Sequence, residues 1–391
     1  MNPFADRLDA LRDQDRLRSI SAWPGLPGKH IEREGRRCLN LSSNDYLGLS
    51  GHPVVKQAAA DAALRFGAGA GGSRLLGGGL PIHRELEEAV AVLRPLGKTL
   101  LFNTGFMANH GALQALAPVL GTIFSDKLNH ASMAEALRSL PGAFHRYRHR
   151  DLDHLRSLLD AHQGAGPGLV CTETLFSMDG DIAPIDGLLE LQARYGFWLY
   201  LDEAHSTGCR PELVSPALAA GIASGRILIM GTFGKAYGGF GAYLSGPVDA
   251  IDWLVNAARS FIFSTALPPA AAGAALAALR VAEAESWRRQ KLAEVAGHAR
   301  ELFARRGFVL GPTESHIVPV IAGSDRAALR ISQALFHAGY HAPPVRPPTV
   351  PEGSARLRIN LTCEMEKSEI DALADEISGA LDESANEAGD G

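Results

Sequence analysis

The chain has 391 residues, more than one ordinary core holds, and its 46% hydrophobic content is that of a globular protein. A net charge of −5 and a pI near 6.3 exclude the basic footprint of a nucleic-acid binder and a polybasic membrane patch. No apolar run is long enough to span a bilayer, and the charged, amphipathic N-terminus lacks the apolar centre of a secretory signal.

Residues 3–20 read as one helix with Leu8, Leu11 and Leu17 on its apolar stripe, broken by "SAWPGLPG" at 21–28. Residues 53–66 and 81–93 read as helices on either side of the glycine-rich loop "GAGAGGSRLLGGG", the second with Pro81 in its first turn. A rhythm follows. "TLLFN", "TIFSD", "GLVCTET", "FWLYLDEAH" and "ILIMGTFGK" are short apolar runs that alternate with helical stretches at 107–120, 127–140 and 185–195. This is the pattern of an α/β fold, a mostly parallel central sheet flanked by helices. Ligands of such sheets bind beyond the carboxyl ends of the strands, where this chain sets Asn103, Thr104, Ser125, Asp126, Glu173, Asp202, Thr232 and Lys235. After residue 266 the chain is alanine-rich and helical, as one long helix or two. "HIVPVIAG" and "ARLRINLT" then read as strands of a smaller C-terminal α+β domain. The expected organisation is an N-terminal helix and arm over 1–45, a large domain over 46–275 and a small domain over 276–391, with the tail from 381 frayed. Cys38, Cys171, Cys209 and Cys363 form no CxxC pair and read as buried free thiols of a reducing cytoplasm.

Asp202 ends an apolar strand, where a carboxylate needs a partner. It is either an ordinary cap before "EAHSTG" or an acid held against a protonated ring nitrogen, with His205 three residues on. Lys235 follows the next apolar run among flanking glycines that would let a bulky ligand approach the backbone. An acid for a pyridinium nitrogen and an amine for an aldehyde are together what pyridoxal 5'-phosphate asks of a protein. "NTGFMAN" sets Thr104 and Gly105 at a strand-to-helix junction, a seat for its phosphate to which Thr232 could add a hydroxyl; the alternative is a plain turn. His130 is either a hydrogen-bonded surface residue or a ring lying on the cofactor. Arg356 and Arg358 share one face of a strand, as a carboxylate grip or as solvent-facing charges.

Three motifs point elsewhere and fail. "GAGAGG" fits GxGxxG but follows a helix rather than a strand. "HRDL" has Arg156 where a kinase needs asparagine. His145, His149 and His154 have no carboxylate or cysteine spacing to complete a metal site, and none is expected.

"NDYLG", "NHAS", "FSMDGDIAP", "LDEAH", "GTFGKA" and "RPPTVPEGSARLR" occur in the order found in the α-oxoamine synthases, which the chain resembles from about residue 40 to 375. The resemblance implies a fold-type-I pyridoxal-phosphate transferase, aspartate-aminotransferase-like, that joins an amino acid to an acyl-CoA with loss of carbon dioxide. It is most similar to the branch of biotin synthesis, which uses L-alanine and a pimeloyl thioester. The alternatives are 2-amino-3-ketobutyrate ligases, 5-aminolevulinate synthases, serine palmitoyltransferases and a fold-type-I aminotransferase. By resemblance Lys235 is the Schiff-base lysine and Asp202 the partner of the ring nitrogen. His205 and Ser177 stand near the phenolic oxygen, and His130 stacks on the ring and is an acid for the acyl carbonyl. Gly105, Phe106 and Thr232 hold the phosphate, with Thr265 reaching it from the second subunit of a homodimer. Arg358, with Asn44, grips the amino-acid carboxylate, and Arg346 is a second active-site arginine. Gly77, Gly78 and Gly79 stand where that branch more often has a serine–glycine pair, in a loop that helps shape the acyl site, so acyl length stays open. Leu75, where 5-aminolevulinate synthases carry a polar residue, favours a longer, apolar acyl chain.

Overall fold

A computed structural model describes residues 2–20, 22–25, 28–140, 144–162, 168–209, 222 and 224–389. The chain divides into two compact units that do not follow chain order. The larger holds Leu49–Ser177 and Ile182–Arg289; the smaller holds Met1–Gly48, Met178–Asp181 and Gln290–Gly391.

The larger unit is built on a seven-stranded sheet. Along it the strands run Lys98–Phe102, Ala242–Gly246, Ile227–Thr232, Trp198–Asp202, Leu169–Glu173, Ile123–Asp126 and Phe144–Tyr147. All neighbouring pairs are parallel except the two made by Ala242–Gly246, which runs opposite to both its neighbours. The period of two splits the strand side chains between two cores. Tyr200, Leu228 and Met230 face one, with the helix Gly105–Leu120, and Leu199, Leu201, Ile227 and Ile229 face the other. Burial on both faces is why these strands read as continuous apolar runs.

The expected break at 275/276 lies further on. The helix Pro269–Ala284 packs against Pro53–Phe66, and a Cβ on Gly273 would stand 2.7 Å from the Ala58 carbonyl, so this helix stays with the larger unit. The alanine-rich stretch is two helices, Pro269–Ala284 and Trp287–Arg305.

In the smaller unit the N-terminal segment forms a hairpin, His30–Arg33 with Arg36–Asn40, through a two-residue turn in which Glu34 and Gly35 both have positive φ. Tyr340–His341 adds to it in parallel, which ties the N-terminal arm to the C-terminal region. A second sheet pairs Ala355–Asn360 with Ile317–Gly323 and Pro344–Val345. Met178–Asp181 belongs here through an ion pair of the buried Arg356 with the half-buried Asp179, Nη1 to Oδ1 at 2.5 Å. Gly180 has φ +71°, and a Cβ there would meet the Ile317 carbonyl oxygen at 2.1 Å. Gly180→Ala is therefore expected to cost about 2–4 kcal/mol, from left-handed strain plus overpacking. Thermal unfolding checks it, and an unchanged midpoint would contradict it.

Two terminal expectations differ from the structure. The first helix is Pro3–Asp13, not 3–20. Asp15 takes φ +56° and turns the chain, so that Arg16 pairs with Asp325 and Glu352 and Leu17 falls outside the helix. The C-terminal helix Lys367–Gly389 runs through the tail expected to fray. Its buried stripe of Ile370, Leu373, Ala374 and Ile377 anchors it, and extending an existing helix costs less than starting one. Residues 390 and 391, and part of the break at 21–28, lie outside the described residues. Among the described residues no helix is long and apolar enough to cross a membrane, and all four cysteines are buried and unbridged.

Candidate active site

Asp202 ends its strand 3% exposed, on the same face as Tyr200. Its two oxygens have separate tasks. Oδ1 accepts the Ala204 N–H at 2.8 Å, the cap expected of a turn, and Oδ2 accepts from Asn109 Nδ2 at 2.7 Å. Asp202 pairs with Met230 of the adjacent parallel strand Ile227–Thr232, which runs two residues further before turning into Lys235. Lys235 Nζ donates to His205 Nε2 at 2.7 Å, so the amine meets the histidine that follows Asp202. Two of the glycines around Lys235, Gly231 and Gly238, make room for protein. A Cβ on Gly231 would meet the Tyr243 ring at 2.4 Å, and one on Gly238, at φ +62°, would stand 2.1 Å from the Ser50 backbone nitrogen. Thr232 Oγ1 donates to the Gly241 carbonyl at 2.9 Å and accepts from the Gly234 N–H at 3.1 Å. Its proton is spent on the turn, not turned outward as the sequence suggested.

Thr104 caps the helix Gly105–Leu120 by accepting the Met107 N–H. The N–H groups of the first turn have no partner within a helix, so this end presents donors and a partial positive charge. Phe106 stands 44% exposed there and stacks on His110. His130 caps the helix Ala131–Arg138, its Nδ1 accepting the Ser132 N–H. Its ring is exposed to the cavity, yet the surrounding protein desolvates it. Desolvation, helped by the Lys235 charge, pushes its pKa below the ordinary imidazole value, against the pull of Asp202.

Lys235, Asp202, His205, His130, Thr232, Gly105 and Phe106 line one cavity of about 190 Å³. Three further groups stand on its wall: Asn109 and Ser132, which the motifs do not single out, and Glu173, which the sequence marks only as a rim residue. Glu173 is paired across the sheet with Asp202 and is 3% exposed. Burial, then the neighbouring Asp202 charge, raises its pKa well above the usual carboxylate range, opposed by Lys235 and by backbone hydrogen bonds from His130 and Ser177. Asn109 had a legible signal. It is a polar residue on the helix stripe otherwise made of Ala112, Leu113, Leu116 and Leu120.

Ser177 and Thr265 are not on this wall. Thr265 lies in a loop held by Asn103, whose Nδ2 donates to the Thr265 carbonyl at 2.8 Å, and bridged to Ser73 of the glycine-rich loop. Gly78 of that loop is obligatory, since a Cβ would stand 2.0 Å from the Gly72 carbonyl oxygen. In the smaller unit Arg358 reaches Asn44 Oδ1 and Tyr46 Oη, both at 3.4 Å. Arg346 follows the short strand Pro344–Val345, half-buried. Arg356 is not part of a grip shared with Arg358; it is 4% exposed and taken by Asp179. The histidines at 145, 149 and 154 also have separate partners: His145 packs on His162, His149 on Asp126, and His154 accepts the Arg148 N–H.

Residues 36–377 match the family described as aminotransferase class I and II. The chain belongs to this family. Among its relatives is the 8-amino-7-oxononanoate synthase of Citrifermentans bemidjiense, 40% identical over 377 residues that cover 96% of this chain and 97% of the relative. A solved aminotransferase-fold neighbour is the serine palmitoyltransferase of S. paucimobilis, which holds pyridoxal phosphate with myriocin. It is 26% identical, with a TM-score of 0.89 over 98% of each chain. The 8-amino-7-oxononanoate synthase of Francisella tularensis is also 26% identical, with a TM-score of 0.74 over 88% of this chain and 98% of that one. The expected fold-type-I transferase architecture, mostly parallel and flanked by helices, is the one found.

Proposed function

We propose that the chain is a pyridoxal-phosphate-dependent acyltransferase, an α-oxoamine synthase that joins L-alanine to a pimeloyl thioester in biotin synthesis. One observation carries this reading. A single cavity is walled by an amine, a buried acid, a histidine ring and the donor-rich end of a helix. Relatives at about 40% identity over nearly the whole chain bear the name of that synthase.

The cavity's donor set fits pyridoxal phosphate. Lys235 Nζ would bond its aldehyde, Asp202 would hold its ring nitrogen protonated, and His130 offers a flat face to the ring. His205 stands at Lys235, with Ser177 the further candidate at the phenolic oxygen. The N–H groups at Gly105 and Phe106 suit the phosphate dianion. Thr232, its proton engaged, acts there by shaping the turn. The bound group supplies an electron sink that makes the amino acid's α-proton acidic. Lys235 Nζ, freed and neutral, takes that proton, and His205 at 2.7 Å orients the amine. Asp202, buried and fixed through both oxygens, keeps a negative charge where positive charge must persist. His130 donates toward the acyl oxygen as the new carbon–carbon bond forms, the carbon–sulfur bond breaks and the thiol leaves. Carbon dioxide then leaves, the electron pair left at the α-carbon takes up the proton held by Lys235, and solvent supplies the proton of the departing thiol. Arg358, with Asn44, takes the amino-acid carboxylate, and Arg346 is a second anion contact.

The protein acts as a homodimer with the active site at the interface, Thr265 of each copy serving the other's phosphate. Exposed Leu76 and Phe263, 86% and 69% accessible beside the Ser73–Thr265 bridge, support a covered surface there. Four unbridged thiols suit the cytoplasm.

A panel of acyl-CoAs against glycine, L-alanine and L-serine, followed by thiol release, tests the function. Pimeloyl-CoA with L-alanine is expected to give the highest kcat/KM, by about tenfold or more over the other amino acids. Keto-acid formation without thiol release would point instead to an aminotransferase, and a better turnover with a short or long-chain acyl group to another branch.

A further inference from the structure

A buried polar chain crosses the cavity's floor from Tyr200 to His130. Tyr200 Oη lies 2.8 Å from Asn109 Oδ1. Asn109 Nδ2 lies 2.7 Å from Asp202 Oδ2 and 2.9 Å from Ser132 Oγ. Ser132 Oγ lies 2.8 Å from His130 Nδ1, which also takes the Ser132 backbone N–H at 3.2 Å. Asn109, Ser132 and Tyr200 are buried, at 1% exposure or less. Buried groups of this kind must pair donor with acceptor throughout.

Only one proton arrangement satisfies the chain. A carboxylate only accepts, so Asp202 fixes the Asn109 amide with its nitrogen toward the acid and its oxygen toward Tyr200. Tyr200 must then donate. The two Asn109 N–H groups go to Asp202 and Ser132. The direction of the Ser132 Oγ–His130 Nδ1 bond is set by the backbone N–H of Ser132, which can only donate and meets the same nitrogen, so the hydroxyl donates too. His130 Nδ1 is thereby unprotonated, and the ring's proton lies on Nε2, for which no protein partner is found among the described residues.

We propose that Asn109 and Ser132 are positioning residues that hold His130 as its Nε2–H tautomer, a neutral donor toward the acyl oxygen of the substrate. The role in acyl transfer rests on the function proposed above; the tautomer does not. Asp202 thus has two outlets through one amide: its own orientation, and the polarity of a histidine it does not touch. A neighbouring helix side chain without this amide would leave both the acid and Ser132 short of a donor.

The test has one arm that needs no substrate. His130 faces Asp202, Lys235, Glu173 and, on its own helix, Glu135. Both Ser132 donors favour the neutral ring, so deleting one raises the pKa of His130. In the full-length chain without added cofactor, carbethoxylation of His130 by diethyl pyrocarbonate is followed against pH by peptide mass spectrometry. The midpoint is expected to rise by about half a unit to one unit in Ser132→Ala. Asn109→Ala should move it the same way, by loosening Ser132. An unshifted midpoint in either variant overturns the proposal. The second arm is a kinetic cycle on the holoenzyme. Ser132→Ala should lower kcat about 5- to 10-fold in the natural background and leave it unchanged when His130 is already phenylalanine. An equal loss in both backgrounds would make Ser132 a packing residue. If the substrate panel fails while the midpoint shifts, the function is wrong and the tautomer stands.

Discussion

Lys235→Ala is expected to lower kcat by about 10⁴-fold or more, because under the proposed function one substitution removes both the covalent anchor and the base. The fold should survive. Lys235 is half-buried, and its amine meets His205 at 2.7 Å. The variant should still bind pyridoxal phosphate, now noncovalently, since Asp202 and the first turn of Gly105–Leu120 are untouched. Single-turnover thiol release, beside a thermal scan, separates these effects. A variant that keeps its melting temperature and its turnover would remove Lys235 from the chemistry.

Asp202→Asn should lower kcat by about 10²–10³-fold. The acid accepts from the Ala204 N–H and from Asn109 Nδ2 at once. An amide can accept only on its oxygen, so its nitrogen faces a donor on one side and the negative charge is gone. Glu173 reports the same change. Its raised pKa owes first to burial and next to the Asp202 charge, so neutralising residue 202 lowers it. Turnover within a factor of about three of the natural protein would leave Asp202 as the Ala204 cap alone, the bland reading its sequence position allowed.

The rim was legible because strand length and period are local. Apolar runs of five or six residues set Glu173, Asp202 and Thr232 at the same end of neighbouring parallel strands, and pairing Glu173 with Asp202 follows from register. What failed to show was long-range or compensating. Arg356 reads as half of an exposed pair until Asp179, 177 residues earlier, reaches it. Gly231 and Gly238 give no sign in the sequence that Tyr243 and Ser50 pack against them. The opposing strand Ala242–Gly246 begins straight after a glycine-rich run that reads as loop. The Glu34–Gly35 turn hides a hairpin because glutamate is not a usual residue at positive φ. Asn109 was legible in principle. Its place on an apolar helix stripe asks for a buried partner, but only the structure supplies both Asp202 and Ser132.

The most direct trial of the central assignment is chemical. Purified enzyme is reduced with borohydride in the presence of pyridoxal phosphate, digested and mapped by mass spectrometry. The pyridoxyl mass should appear on the peptide carrying Lys235 and vanish in Lys235→Ala; the same label on a different lysine, or none in the natural protein, would contradict the account.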